Sequence, residues 1–156
     1  MDKNELYILG RNELQIMDEV VACNQFTQRF GLQLTREDAA ELIKERRESL
    51  QKHGRVEFGR SILPALIFAF CDSVYMEQDQ YVEMLERLQD IFYFYKSESL
   101  DILTDDELIT YMKEHFEGDC QGSLDHLEDT CLEQFVRNIR ETPGQFMRGG
   151  KKDDNC

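Results

Sequence analysis

Oxygen-bearing side chains recur at alternating positions between Glu117 and Glu128, in the order an EF-hand loop requires. Glu117 falls at position 1, Asp119 at 3, Gln121 at 5, Gly122 at 6, Ser123 at 7, Asp125 at 9 and Glu128 at 12. Calcium takes hard oxygen ligands, a glycine for the sharp turn and a bidentate carboxylate at the end. Gly122 and Glu128 fit that pattern. Glu117 departs from it, since position 1 normally holds the shorter Asp, and Gln121 offers a neutral oxygen. No second such loop is found in the sequence, although such loops usually work in pairs. The competing expectation is a plain turn, with Gly118 stopping one helix and Ser123 capping the next.

A second set lies in the same stretch. His115, Cys120, His126 and Cys131 carry the nitrogen and sulfur donors that zinc prefers. Their spacings of five, six and five residues match no common structural zinc site. On a regular helix, His126 and Cys131 stand five positions apart and point in different directions. The expectation is therefore surface histidines, a core Cys131 and no cofactor other than calcium as a candidate. Cys71-Asp72-Ser73 follows the most apolar segment and is expected to hold a small core cysteine rather than a nucleophile. Arg55, Glu57 and Arg60, with Asp72 beyond, are expected to pair as structural ions. No phosphate loop, dinucleotide glycine motif or nucleophile elbow occurs.

The elements that must carry these residues read as helices. Thr104 and Glu107 form a capping box before Leu108, Ile109, Met112 and Phe116. Ser123 precedes Leu124, Leu127, Cys131, Leu132, Phe135, Val136 and Ile139, and Pro143-Gly144 ends that run. An earlier helix is predicted over 12–30, with Leu14, Met17, Val21, Phe26 and Phe30 as its buried stripe and Gly31 as its stop. Thr35 and Asp38 make a second box, opening a charged helix to His53 whose narrow apolar face is Ala39, Ala40, Leu42, Ile43 and Leu50. Residues 62–71 leave almost no polar face, and Pro64 suits a first turn, so 61–72 is expected to be a central buried helix. Gln78 to Lys96 is amphipathic and ends in five residues, Ile91 to Tyr95, four of them aromatic. Leu6 to Leu9 is a short apolar patch. The fold class is all-α, about six helices around the central one, in a single domain over 1–145 with a loose tail at 146–156.

Composition limits function. The chain has 156 residues, 41% of them hydrophobic, and a formal charge of −14. Between Glu77 and Asp129, 16 acids stand against Arg87, Lys96 and Lys113, so most of the net charge lies in one third of the chain. That field repels nucleic acid and anionic membrane and favours a basic partner, a cation or simple dispersal in water. The stretch from Arg36 to His53 has helix–turn–helix spacing with the segment before it, but its five bases and five acids cancel, which does not suit DNA. Five cysteines, odd in number and without a Cys-x-x-Cys pair, fit reduced thiols in a cytoplasm. Met-Asp-Lys-Asn-Glu has no basic region followed by an apolar stretch, so no signal peptide is expected, and the ten-residue apolar run is too short for a bilayer.

The runs Arg55-Val-Glu-Phe-Gly and Ile62-Leu-Pro-Ala-Leu-Ile-Phe-Ala-Phe-Cys-Asp-Ser, with Thr104-Asp-Asp-Glu-Leu and Cys120-Gln-Gly-Ser-Leu, resemble an uncharacterised family of small acidic helical proteins from anaerobic Firmicutes. The resemblance covers most of residues 5–140 and implies a bacterial cytoplasmic protein. It brings no activity, cofactor or catalytic residue with it. The leading expectation is a non-catalytic helical interaction module with an acidic face. The alternatives are a calcium-binding domain using 117–128 and an enzyme of unfamiliar design.

Overall fold

A computed structural model of the protein describes residues 10–57 and 60–141. Among them every regular element is helical and there is no strand, which agrees with the all-α expectation. Six main helices follow one another: α1 Arg11–Ala22, α2 Arg36–Lys52, α3 Leu63–Phe70, α4 Tyr81–Glu98, α5 Asp105–Glu117, and α6 over 124–141. The chain divides into two compact units, residues 1–90 and 91–156. The patch at Leu6, the Pro143-Gly144 stop and the tail lie outside the described residues.

In the first unit, side-chain chemistry sets the helix ends. Thr35 accepts a hydrogen bond from the Asp38 amide at 3.0 Å, and Asp38 returns one from the Thr35 amide at 3.0 Å, which is the capping box expected from sequence. The helix predicted over 12–30 is broken. α1 ends at Ala22, and a short turn Asn24–Thr27 and a 3-10 turn Gln28–Phe30 follow, stopped by Gly31 in the left-handed region at φ 78°. Two polar side chains hold the break. The Asn24 amide clamps Leu34, giving to its carbonyl and accepting from its amide, each at 2.8 Å. Thr27 donates to the Leu32 carbonyl at 2.8 Å from a fully buried position.

The buried stripe differs from the expected one on both sides of the break. Ile16, Met17 and Val20 are buried, whereas Leu14, Phe26 and Phe30, expected in the stripe, are exposed. Phe26 instead meets Phe30 and Phe68 of α3 on the outside, with ring centroids 5.8 and 5.5 Å away. The Arg29 guanidinium lies over the Phe26 ring at 4.2 Å. α2 buries Ala39, Ala40, Leu42, Ile43 and Leu50 as expected, and Arg46 and Ser49 besides. α3 is shorter than predicted and does not bury all its residues. Ile62, Leu63, Leu66, Ile67, Phe70 and Cys71 are buried, but Phe68 is 50% exposed.

In the second unit, Thr104 and Glu107 form their capping box, with bonds of 2.9 and 3.1 Å. Leu108, Ile109, Met112 and Phe116 are all buried. Most of the aromatic run belongs to the core: Phe92, Tyr93 and Tyr95 are buried. The Tyr95 hydroxyl donates to the Glu128 carbonyl at 2.6 Å, and Tyr111 stacks on Phe135 at 3.7 Å. Lys96 donates to the Leu103 carbonyl and lies 2.9 Å from Asp105, fastening the link from α4 to α5. α6 contains a π-helical turn, Leu127–Cys131, that the sequence reading did not anticipate.

Within the first unit two carboxylates on neighbouring helices share a hydrogen bond. Partial burial first, and that bond to Glu41 second, push Glu86 up to about 8 from 4.5. A carboxyl raised in the folded state is satisfied when protonated. Its contribution to stability is full below the unfolded value of 4.5 and is lost as pH rises through about 8. Glu86→Gln keeps the neutral form at every pH, so the melting-temperature gain over the parent should grow from about pH 5 to about pH 9. A gain that does not change across that range would remove the shared proton.

Core and surface on α3 are separable by mutation. Leu66→Asp places an unpaired carboxylate at a fully buried site, a cost of several kcal/mol that is comparable to the whole net stability of a domain. It should abolish the cooperative thermal transition followed by circular dichroism. Phe68→Ser should cost only about 1 kcal/mol.

Candidate functional site

The 117–128 loop joins α5 to α6, and each nominated residue has a definite place. Glu117 is the last residue of α5 and lies 3.8 Å from the Lys113 ammonium. Asp119 Oδ1 is 2.9 Å from His115 Nδ1, and that bond holds the exposed carboxyl below its usual range. Gln121 and Gly122 are both left-handed, at φ 50° and 84°. The Ser123 hydroxyl accepts from the His126 amide at 3.1 Å, so it caps α6. Asp125 sits in the first turn of α6, and Glu128 sits in the π-helical turn with its carbonyl on Tyr95. No three of the Glu117, Asp119, Asp125 and Glu128 carboxylates come within 4.8 Å of one another. The local bonds are those of a helix, turn and capped helix.

The same turn assembles the other set. Sulfur, nitrogen and sulfur atoms of Cys120, His126 and Cys131 all lie within 4.8 Å of one another. His115, Asp119 and Cys131 form a second such group, sharing the Cys131 sulfur. The two sulfurs are 3.5 Å apart, and Cys131 Sγ donates to Asp119 Oδ2 at 3.6 Å. This corrects the expectation that His126 and Cys131 diverge. Over five residues a regular helix turns about 140° past one full turn. Here the Leu132 amide bonds the Leu127 carbonyl, five residues back, and such a turn brings fifth neighbours toward one face. The clue available in the sequence was the adjacent apolar pairs Cys131-Leu132 and Phe135-Val136, which shift the stripe by one residue.

Cys120 and Cys131 are buried and His126 is exposed, so the cluster opens at its histidine edge. Burial pushes the Cys120 thiol up, and burial followed by the bond to Cys120 pushes Cys131 up to about 12. Neither thiol is an activated nucleophile in that state, because the thiolate is the reactive form.

Other groups with suggestive chemistry resolve into structural pairs. Asp90 accepts from the Ser49 hydroxyl at 2.5 Å and lies 2.9 Å from His53 Nε2 and 3.2 Å from Lys52. Burial alone would raise its pKa, but these bonds outweigh it and hold the carboxyl low. Serine, histidine and aspartate are the types of a hydrolytic triad. The hydroxyl here donates to the carboxylate, whereas an activated serine donates to the imidazole. A cleft of about 370 Å³ in the same unit is lined by Glu13, Arg46, Arg47, Arg55 and Glu57 among others. Arg46 meets Glu57 at 2.8 Å and Arg47 meets Glu13 at 2.8 Å, so much of its charge is neutralised in pairs. Glu57 is thus ion-paired, with Arg46 of α2, a partner that the sequence did not single out. Cys71 is buried, as expected of a small core residue, and its thiol reaches the Phe68 carbonyl at 3.7 Å.

Among the described residues no helix is long and apolar enough to cross a membrane. No curated protein and no solved structure matches this chain. One family model does, over residues 19–144, and it takes in the two units' main helices from the end of α1 to the end of α6. The motifs singled out in the sequence, from Arg55 to Leu124, lie inside that span, and the chain belongs to the family of unknown function DUF6323.

Proposed function

We propose that the protein is a non-catalytic helical interaction module whose 91–141 region engages a basic protein partner. One observation carries this reading. In that region thirteen acids stand against four cations, and each cation already has a carboxylate of the same unit beside it. Lys96 lies 2.9 Å from Asp105, Lys113 3.8 Å from Glu117, Arg137 3.1 Å from Glu133 and Arg140 3.0 Å from Glu98. A net of nine negative charges remains. Most of these carboxylates are exposed, where such a field speeds encounter with a positive surface and sets its register. The triad-like trio and the paired cleft support a non-catalytic reading, since their polar groups are spent on one another.

The calcium alternative has less support. The Ser123 hydroxyl is occupied as a cap, Asp119 is held by His115, and the carboxylates do not converge. Millimolar calcium should leave both the melting temperature and the calorimetric baseline unchanged. A saturable heat lost in Glu128→Gln would instead restore the calcium reading.

For the partner, the chain would be immobilised beside a variant carrying Asp106→Asn, Glu114→Gln and Asp129→Asn, all exposed acids. A partner that fits the proposal binds the parent and is displaced as ionic strength rises toward about 0.5 M, where the screening length falls to about 4 Å. Its affinity for the variant should drop by about tenfold or more. Binding that ignores both salt and the three substitutions would overturn the proposal.

A further inference from the structure

We propose that Cys120, His126 and Cys131 form a binding site for a thiophilic divalent metal ion of the zinc class, with Asp119 beside it. This differs from the acidic face in chemistry, since its donors are soft and its two sulfurs are buried.

Three features converge on it. The first is donor chemistry. Two sulfurs and an imidazole nitrogen select zinc over calcium or magnesium, which take oxygen. The second is spacing. Zinc–sulfur bonds of ~2.3 Å in a tetrahedron put two sulfurs about 3.8 Å apart. Cys120 and Cys131 stand 3.5 Å apart, close to that bite and far beyond the ~2.05 Å of a disulfide. The imidazole of His126 lies within 4.8 Å of both sulfurs.

The third is the backbone that brings them together. Gln121 and Gly122, consecutive left-handed residues, turn the chain immediately after Cys120. The Ser123 amide then bonds the Cys120 carbonyl at 3.0 Å, which fixes Cys120 beneath the start of α6. The π-helical turn swings Cys131 back toward His126. Left-handed φ at a non-glycine residue and a π turn are both departures frequent at functional positions. Here both serve one cluster.

Asp119 borders the set through Cys131. Its Oδ2 lies 3.6 Å from the Cys131 sulfur, and its Oδ1 is 2.9 Å from His115 Nδ1. Carboxylates at metal sites are in turn held by hydrogen bonds, as Asp119 is by His115. The exposed edge at His126 gives an ion its way in. Once bound, the metal ties the α5–α6 connection to α6 itself.

The test uses the full chain, reduced and stripped with a chelator, titrated with zinc alone and separately with cobalt(II). Zinc should bind one per chain and raise the melting temperature by several degrees. Cobalt should give the near-ultraviolet thiolate charge-transfer band and the intense visible bands of a tetrahedral sulfur-ligated ion. Cys131→Ser should abolish the charge-transfer band or shrink it severely. Because that residue is buried, His126→Ala is the second variant: His126 is exposed, so the metal-free protein should melt as the parent does while zinc affinity falls about 10–100-fold. Asp119→Asn should weaken binding with both thiolate bands kept. No cobalt–thiolate band in the parent would overturn the site. So would a band that survives Cys120→Ser with Cys131→Ser, or zinc affinity unaffected by His126→Ala. A metal-free chain two mass units light under reducing conditions would reassign the pair as a disulfide and overturn it equally.

Discussion

Where each helix begins decides which of its residues can be buried, and in this chain that starting point is set largely by hydroxyl caps. Thr35, Thr104 and Ser123 each accept a bond from an amide three residues on. Each satisfies one of the orphan donors that a helix start leaves open. Once the first turn is fixed, a period of 3.6 residues fixes the rest. α2 thereby buries Ala39, Ala40, Leu42 and Ile43, and α5 buries Leu108, Ile109, Met112 and Phe116. Ser123 has a further effect, because it starts α6 in the phase that puts His126 at the rim of the sulfur cluster. The loop that looked like a calcium site and the cluster that holds soft donors are thus two readings of one capped turn.

The parts of the fold legible in sequence were those governed by local bonds. The two capping boxes, the Gly31 stop, the Ser123 cap and the stripe of α5 depend on residues within four positions of each other. The misread parts depend on distant partners. Phe26 and Phe30 have helical spacing, but the Asn24 and Thr27 side chains bond the Leu34 and Leu32 carbonyls, and both rings face outward. Phe68 belongs to an apolar run in which hydrophobicity cannot say which side faces the core. At α6 the adjacent apolar pairs fit either of two helical phases. Only the packing of both halves requires the extra residue that the π turn absorbs. The candidate site was hidden for the same reason: ligand spacing was judged on a regular helix, and the helix is not regular there.

The two units treat charge differently. In the first, Arg46 with Glu57, Arg47 with Glu13, and Asp90 with Ser49, Lys52 and His53 form short, partly buried pairs. Removing one partner from a pair as buried as Arg46 and Glu57 costs far more than losing an exposed pair such as Arg36 and Asp18. In the second, the pairs are mostly exposed and outnumbered by surplus acids. Charge in the first unit therefore specifies internal geometry, and charge in the second is turned toward solvent.

The outward trio of Phe26, Phe30 and Phe68 has a colloidal consequence. Three clustered rings on a surface are an adhesive spot between copies of the same chain, and Arg29 shields only the face of one. At a net charge of −14, two copies repel before their rings can touch. That repulsion is long-ranged and screened by salt, whereas attraction between rings is short-ranged and survives it. The dispersion of this protein in water thus depends on ionic strength: dilute salt keeps copies apart, and concentrated salt lets like meet like.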